Sequence, residues 1–435
     1  MSDRRPTDRI GNLLEDVAVH IEHQVAPPDV GVIRRRSAHR RRRRVFVSGT
    51  AAVVVAALVA AGVGLATQGP GPRSAPTQGV ASYPVHFNNF QYVVKDLPAI
   101  KKQTASIPSS GISSVSLPVV TPDYAAITFG AGRVWVLESR ARPDCGNCGA
   151  LAAINPSSLS VAGSVPLSSY PDSLAYGADS VWVLSSRIGV AGYDLTQVDP
   201  STLAVQSTTV LAAGPGGVTP QGDTGAKYAF VTVSGNDVVA TFQGAKGGSQ
   251  IFVVTATSRK LVSTQTVPAT DGPVTALSSN SAGIWVGTAA GWVLLVDPGN
   301  GSITNEQHLG TRVVSLAASD QAVWVTLNLP VPSHVKDPHL DLLRLNPKSG
   351  GIERDTGLPM LYVATDGSSV WALGTSTPYV SYEGMIGEIH PRTGELLAQA
   401  QLPTHGYQVP DTVGVDDGAA WVINDFLGTL TRVSS

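Results

Sequence analysis

The sequence predicts an all-β fold, a seven-bladed β-propeller, preceded by a single N-terminal transmembrane helix. Three observations support this prediction. Residues 45–66 form an apolar run without a charged residue, and a Trp-centred pattern of paired strands then recurs through the rest of the chain. The composition has 45 Gly and 30 Pro but only 14% charged residues, which suits many short strands joined by tight turns.

The apolar run 45–66 is long enough to cross a membrane. As a helix it would reach about 33 Å, against about 30 Å for the hydrocarbon core of a bilayer. Five arginines, at 40–44, come directly before it and few basic residues follow, so the positive-inside bias predicts a cytoplasmic N-terminus. The chain is therefore predicted to be a single-pass protein of the cell membrane, held in the lipid bilayer by 45–66, with its body extracytoplasmic.

The alternative for this segment is an export signal that is cleaved after transport. Residues 43–47, RRVFV, resemble a twin-arginine motif, and small residues end the apolar run near Ala66. The 44-residue leader and the length of the apolar run favour a retained span. Both routes carry the body across the membrane, and whether the span is retained stays open.

The tail, residues 1–44, differs in charge from the rest of the chain. It contains eleven Arg and six acidic residues, so its net charge is about +5 and that of the remainder about −7. Its position beside an apolar run favours a membrane surface as the partner over nucleic acid. Residues 10–25 carry apolar side chains at helical spacing and predict a short amphipathic helix, which either lies on the inner leaflet or docks a cytoplasmic partner.

Residues 67–111 are rich in Pro, Ser, Gly and Gln and predict an extracytoplasmic stalk. The middle of this stretch, 83–94, is aromatic and apolar, so we expect it to pack against the body. The propeller itself is predicted to occupy residues 112–435.

The repeated unit is an apolar strand, a tight turn and an apolar-Trp-apolar strand. Units are spaced by 39 to 55 residues, the length of one four-stranded blade. Phe230 is expected to replace Trp in a seventh, weaker unit. A second landmark in most units is a polar residue before Pro, which predicts the turn between the third and fourth strands. The six clear units centre on Trp135, Trp182, Trp285, Trp324, Trp371 and Trp421.

The last unit predicts how the ring closes. After Trp421 the chain has room for only one more strand, whereas an unassigned strand, 114–119, precedes the first unit. If 114–119 is the outermost strand of the last blade, the two chain ends share one sheet and no incomplete blade is left with an open edge.

Residues 386–395, together with the Trp strand before them, resemble the streptogramin B lyase-like and YVTN-type propellers of bacteria, and the resemblance extends over about 112–435. The basic leader and Ala/Val-rich span are similar to those of actinobacterial membrane proteins. The resemblance implies the fold, but such propellers include lyases, quinoprotein enzymes and plain binding modules. A lyase would need a metal-assisted His and Glu, and no residue matches that catalytic motif. The histidines that are candidates by type are His308, His334, His339, His390 and His405.

Strand parity assigns the connections to two faces. If the strands of a blade are lettered a to d outward from the ring axis, the a–b and c–d turns lie on one face and the b–c and d–a connections on the other. The b–c loops are predicted at 138–150, 185–193, 328–340 and 375–385, and their variation predicts that binding occurs on this second face. On the same face, four aspartates near a proline come just before innermost strands, the strands lettered a. They either bind a cation or cationic ligand or simply form turns: Asp123, Asp172, Asp271 and Asp411.

The two cysteines, Cys145 and Cys148, fall in the first b–c loop and are predicted to form a local disulfide outside the cell. A redox centre, or half of a zinc site completed by His334 or His339, is the alternative, and no metal site is predicted. The repeat tryptophans are expected in the core, whereas Trp292 stands outside the repeat position.

These features predict a membrane-anchored module that binds a protein or small molecule on its b–c/d–a face, as a sensor or scaffold. Catalytic residues and cofactors remain unknown at this stage, and nucleic acid is not an expected partner. The alternative is a propeller enzyme of the streptogramin lyase-like or quinoprotein-like kind.

Overall fold

The computed structural model describes residues 105–117, 126–139, 149–187, 192–211, 228–243, 248–329, 339–377, 381–402, 412–424 and 427–435. Regular structure in these residues is all strand apart from two short 3₁₀ turns, Ser109–Gly111 and Ala269–Asp271. None of the described residues belongs to a helix long and apolar enough to cross a membrane. The predicted span 45–66, the tail and residues 67–104 lie outside the described residues, so these assignments stay predictions.

The strands form seven separate sheets, each built on four antiparallel strands in the order a to d, and this confirms the predicted seven-bladed propeller. Blade 1 consists of Ile127–Gly130, Arg133–Ser139, Gly149–Ile154 and Val161–Pro166. Blade 2 consists of Tyr170–Gly177, Ser180–Ser186, Tyr193–Asp199 and Ala204–Leu211. Blade 3 consists of Ala229–Ser234, Asp237–Gln243, Ser249–Thr255 and Leu261–Val267. Blade 4 consists of Val274–Asn280, Gly283–Thr288, Trp292–Val296 and Ile303–His308.

Blade 5 consists of Arg312–Ala318, Val323–Leu329, His339–Leu345 and Ile352–Asp355. Blade 6 consists of Met360–Thr365, Val370–Thr377, Ser381–Ile389 and Leu396–Gln401. Blade 7 consists of Thr412–Asp416, Ala419–Asn424, Thr429–Val433 and, as its outermost strand, Ile112–Ser116. Each innermost strand contacts the innermost strand of the next blade, and that of blade 7 contacts that of blade 1, so the ring is closed.

The two ends of the propeller meet in blade 7. Ile112–Ser116 pairs antiparallel with Thr429–Val433, and the hydroxyl groups of Ser114 and Thr431 lie 2.8 Å apart. The backbone N–H of Leu117 donates to the Gly428 carbonyl at 2.7 Å, and the Leu117 side chain is buried. The pairing overlaps the predicted closing strand 114–119, of which 118 and 119 lie outside the described residues.

Blade 6 carries a fifth strand. Ala105–Ser106 pairs in parallel with Leu396–Gln401, and the N–H of Ile107 donates to the Gln399 carbonyl at 2.9 Å. The Ile107 side chain is buried in a cluster with residues of blades 6 and 7. Residues 105–111, which the sequence assigns to the stalk, therefore pack against the propeller because they include one apolar anchor.

The six repeat tryptophans all lie on strand b, and each is at most 1% exposed. Their rings fill the space between blades, as Trp285 of blade 4 shows by packing against the c–d turn of blade 5. An added Cβ at Gly350 in that turn would lie 3.3 Å from the Trp285 ring, and Gly350 has a φ of +68°. The expectation of a tryptophan core between blades therefore agrees with the burial of all six rings.

Blade 3 departs from the predicted repeat. Phe230 lies on strand a, and the residue in register with the tryptophans is Val239, which pairs with Thr232 as Trp135 pairs with Thr128. The prediction that Phe230 replaces Trp was therefore wrong, because the a–b turn of this blade comes later in the chain. Phe242 supplies an aromatic side chain between blades 2 and 3. Its ring stacks on another aromatic ring of blade 3 and on the ring of Tyr193 in blade 2, with a centroid distance of 4.2 Å to Tyr193.

Hydroxyl side chains join neighbouring innermost strands, which belong to separate sheets. In four places a Ser or Thr hydroxyl of one blade accepts the backbone N–H of the next blade's strand a at 2.9 to 3.3 Å. Each bond gives a backbone amide of one sheet an acceptor in the neighbouring sheet. The acceptor and donor pairs are Thr128 and Tyr176, Ser173 and Val231, Ser278 and Ala318, and Ser315 and Val363.

Deletion of residues 112–116 tests the closure. The deletion removes the outermost strand of blade 7 and uncovers the edge beside the fully buried Leu430 and Val433. We expect the free energy of unfolding to fall by about 3 kcal/mol or more, as for loss of large buried contacts. Thermal melting of the full-length chain, followed by circular dichroism, measures the change. Deletion of 69–73 in the predicted stalk is the control, and equal melting temperatures for the two deletions would contradict the closure.

Candidate functional site

The connections of the two faces differ in length. Only two residues separate Gly130 from Arg133 at an a–b turn, whereas nine separate Ser139 from Gly149 at a b–c connection. The predicted loop 375–385 is shorter than expected, since strands b and c of blade 6 extend until Thr377 pairs with Ser381. The longer connections thus lie mainly on the b–c/d–a face, and parts of them lie outside the described residues.

Blade 4 has the most fully described part of this face. Its b–c connection is only Ala289–Gly291, and it is tied to the connection that leads into blade 5. The N–H of Leu309 donates to the Gly291 carbonyl at 2.7 Å. Gly291 has a φ of +89°, and an added Cβ would lie 2.5 Å from the Thr311 carbonyl oxygen. Only glycine fits this approach, so the two connections form one fixed surface.

Two rings stand at the outer side of this surface. Trp292 begins strand c of blade 4 and His308 ends strand d, and their ring centroids are 4.6 Å apart with the planes inclined by 42°. The imidazole Nε2 of His308 donates to the Ala290 carbonyl at 3.0 Å. His308 is exposed and Trp292 half-buried, so the tryptophan outside the repeat contributes to the surface as well as to the core.

A second pair stands at the inner side. Arg312 begins the innermost strand of blade 5, and Tyr228 comes directly before that of blade 3. The Arg312 guanidinium lies 5.7 Å from the Tyr228 ring centroid, and its Nη2 donates to the phenol oxygen at 3.3 Å. Because the two residues belong to blades on either side of blade 4, their pair passes along its inner side. We call Tyr228, Trp292, His308 and Arg312 the blade 4 surface.

The four predicted aspartates do not all occupy equivalent positions. Asp271 ends a 3₁₀ turn before strand a of blade 4; it is buried, and it accepts a hydrogen bond from the Thr270 hydroxyl at 3.1 Å. Asp172 lies inside strand a of blade 2, where the pairing register shifts. Asp123 and Asp411 lie outside the described residues. An aspartate ring around the axis therefore stays a prediction.

Asp172 is an unusual carboxyl group. Its Oδ2 accepts the Ser186 N–H at 2.9 Å, while Oδ1 is enclosed by protein without a hydrogen-bond partner among the described residues. The residue as a whole is only half-buried, but its carboxyl is shielded from water. Burial raises the pKa of Asp172 to about 7, against the lowering effect of the hydrogen bonds with Ser186.

A carboxyl pair lies near the same face in blade 5. Burial raises the pKa of Asp341, on strand c, well above its usual range, and the adjacent Asp355 carboxylate on strand d adds to this. Asp355 also accepts the Gly357 N–H at 3.0 Å. The raised pKa favours the neutral form of Asp341, because burial and a nearby carboxylate both disfavour a second negative charge. The sequence did not indicate this pair, because it depends on the c–d register.

An ion pair occurs at the corresponding part of blade 2. Arg187 Nε lies 3.4 Å from Asp194 Oδ1, and Asp194 Oδ2 accepts the Ser169 hydroxyl at 2.8 Å. Arg187 follows strand b, Asp194 belongs to strand c and Ser169 precedes strand a, so the network fixes the start of a b–c connection. Its partial exposure makes its contribution to stability small.

The candidate histidines have structural contacts where they are described. The imidazole Nδ1 of His390 accepts the N–H groups of Arg392 and Thr393 at 3.2 and 3.1 Å. In the equivalent turn of blade 5, Asn346 Oδ1 accepts two N–H groups at 2.9 and 3.0 Å. His390 thus performs the role of a turn Asn. His334, His405, Cys145, Cys148 and the His339 side chain are outside what the structure describes. Among the residues it does describe, no three His, Cys, Asp or Glu side chains form a metal-binding group.

Comparison with solved structures finds propellers. The chain is similar to the Neurospora crassa Pan2 WD40 domain, with 12% identity and a TM-score of 0.52 over 75% of this chain and 96% of that one. A chain of the mitotic checkpoint complex gives 11% identity and 0.52 over 78% and 97%. BamB from Moraxella catarrhalis gives 13% identity and 0.47 over 74% and 98%. The likeness shows the fold alone. The sequence matches no protein-family model and no curated protein, so the streptogramin lyase-like type stays a prediction.

Asp172→Asn tests the buried carboxyl. Because the raised pKa makes the native state hold a proton that the unfolded chain releases, the free energy of unfolding falls as pH rises from about 4 to about 7. The loss is at most about 4 kcal/mol, since each pKa unit corresponds to about 1.4 kcal/mol. Asn keeps the bond from Ser186 and does not ionise, so the variant should lack this loss and gain stability at pH 8 relative to wild type. Denaturant unfolding at pH 4 and pH 8 measures it.

The exposed Asp179 of the same blade provides the matched control. Asp179→Asn removes the same charge from an exposed turn, and we expect no gain in the free energy of unfolding at pH 8 from it. An Asp172→Asn curve parallel to that of wild type would contradict the assignment.

His390→Asn and His390→Ala test the turn. Asn supplies an acceptor at the same place, so His390→Asn should leave the melting temperature unchanged. Ala leaves two N–H groups without their acceptor, and we expect a loss of about 1 kcal/mol in the free energy of unfolding. Equal losses in both variants would show that the imidazole acts in another way.

Proposed function

We propose that this chain is a single-pass membrane protein whose extracytoplasmic propeller binds a protein or ligand on its b–c/d–a face. The observation that carries the proposal is the blade 4 surface, where exposed Arg312 and His308 stand beside half-buried Tyr228 and Trp292 on fixed backbone. Tyr, Trp and Arg are the residues that contribute most to binding in protein interfaces.

The anchor rests on the sequence. The apolar run 45–66, the arginines before it and the stalk after it support a retained span with the propeller outside the cell. In this arrangement residues 67–104, the part of the predicted stalk that precedes the fifth strand of blade 6, set the reach of the propeller from the membrane. If the partner is another protein of the cell envelope, the propeller serves as a scaffold or a sensor.

The fixed connections of blade 4 and the contacts of the described histidines support binding more than catalysis. The blade 4 connections are held by close backbone contacts, and the described histidines are engaged with backbone groups rather than with each other. A preformed surface of this kind binds without the cost of ordering loops. Arg312 offers its guanidinium to a carboxylate or an aromatic ring of the partner.

Site-directed photocrosslinking in whole cells tests the proposal. A photoreactive residue at His308 probes the b–c/d–a face, and one at Asn300 probes the c–d turn, which precedes the same outer strand at its opposite end. Both positions are exposed, so they are matched for accessibility. We expect a discrete adduct from position 308 and none from position 300. Combining the 308 probe with Arg312→Ala should reduce the adduct at least about tenfold, the loss typical of a strong interface contact.

Two outcomes would contradict the proposal. Adducts of equal yield from both positions would show that the face is not specific. An adduct at position 308 that Arg312→Ala leaves unchanged would place the binding elsewhere on this face, away from the blade 4 surface.

A further inference from the structure

The outermost strands of the blades differ in how they protect their free edges. In blades 1 to 6 the register of strand d shifts near the start of the strand, after its first residue or, in blade 2, after its second, and the shift leaves one residue unpaired. The residue two positions after the unpaired one is charged in blades 4 and 5, where it is Glu306 and Asp355. It is uncharged in the other four blades. The uncharged residues are Ser164, Thr208, Thr264 and Gln399.

Blade 6 shows that an edge of this type accepts another strand. Ala105 and Ser106 pair with Ala398 and Gln399, directly after the register shift, and the Ile107 N–H donates to the Gln399 carbonyl at 2.9 Å. The added strand begins at the first residue of the edge strand after the register shift. The equivalent positions in blade 2 are Ser207 and Thr208.

Blade 2 has an uncharged and exposed edge. Its strand d, Ala204–Leu211, contains no charged residue, and Val205 and Val210 are 47% and 53% exposed. No strand within the described part of the chain pairs with its outer side. Proteins usually protect an exposed edge with charge, proline or a cover, and the regular part of this strand, Ser207–Leu211, has none of these within the described residues.

We propose that the edge of blade 2 is a docking site for a second copy of this chain. The strands Ser207–Leu211 of two copies would pair antiparallel across a two-fold axis at Thr209. This register places Thr208 of each copy opposite Val210 of the other, so β-branched side chains meet on the exposed face. A two-fold interface must be self-complementary, and an edge without charge meets this condition because no like charges face each other.

The second copy is favoured over an unrelated strand by the same features. An uncharged edge offers no charge pattern that would select a different partner, whereas the symmetric register supplies two matched Thr–Val pairs. The edge also lies at the rim of the ring, away from the blade 4 surface, so this inference does not depend on the proposed binding site.

The test is the molar mass of the full-length chain in mild detergent, measured by sedimentation up to about 100 μM, a range that detects weak interfaces. Wild type should form dimers as concentration rises. Thr208→Glu, which gives blade 2 the residue of blade 4, should weaken dimer formation at least about tenfold, since two carboxylates would lie close to the axis.

Thr202→Glu is the matched control, because Thr202 is exposed in the c–d turn of the same blade and adds the same charge away from the edge. It should dimerise like wild type. Val210→Lys gives a second edge variant with the opposite charge and should also weaken dimerisation. Wild type that stays monomeric, dimers that Thr208→Glu leaves intact, or equal weakening by Thr202→Glu would each overturn the proposal.

Discussion

The pairing of Ile112–Ser116 with Thr429–Val433 is the constraint on which the rest of the structure depends. Neighbouring blades belong to separate sheets, so they are joined by side chains and a few hydroxyl bonds rather than by continuous strand ladders. A chain of such blades could open at its ends. One mixed blade, built from both termini, converts the chain into a ring in which every blade has two neighbours. The fixed backbone of the blade 4 surface is a consequence, because Tyr228 and Arg312 meet only if blades 3, 4 and 5 keep their angles.

The fold was predictable from the sequence because its decisive residues recur at one place in a repeat. Trp135 and its five counterparts mark strand b, and turns such as Asn346-Pro347 mark the c–d connection. The prediction failed in blade 3, where an aromatic residue at about the expected distance lay on strand a, and where Val239 occupies the tryptophan position. Composition and spacing cannot separate the two strands when the marker residue is missing. Hydrogen-bond register does so, but it requires the structure.

The candidate site was less predictable, since it depends on which blades are neighbours and on local register. Arg312 and Tyr228 are 84 residues apart, and no sequence pattern links them. Asp172 was predicted beside a turn proline, but its buried carboxyl results from a register shift within strand a. Trp292 could be singled out because it stands outside the repeat, whereas its contact with His308 follows from the register of strands c and d, in which the two residues pair directly. The sequence therefore indicates the face, and the structure identifies the groups on it.

Two aspartates show how nearby hydrogen-bond donors and burial set the pKa of a carboxyl group in this protein. Asp199 stands in an exposed c–d turn, where the Ser201 hydroxyl and the N–H groups of Ser201 and Thr202 lower its pKa to about 2. Asp172 receives one N–H at a site enclosed by protein, and burial raises its pKa to about 7. A turn therefore supplies enough donors to hold a carboxylate ionised, while a strand interior does not. The difference lies in the surroundings of the carboxyl group: protein encloses Oδ1 of Asp172, whereas the carboxylate of Asp194, on strand c of the same blade, lies 3.4 Å from Arg187 Nε.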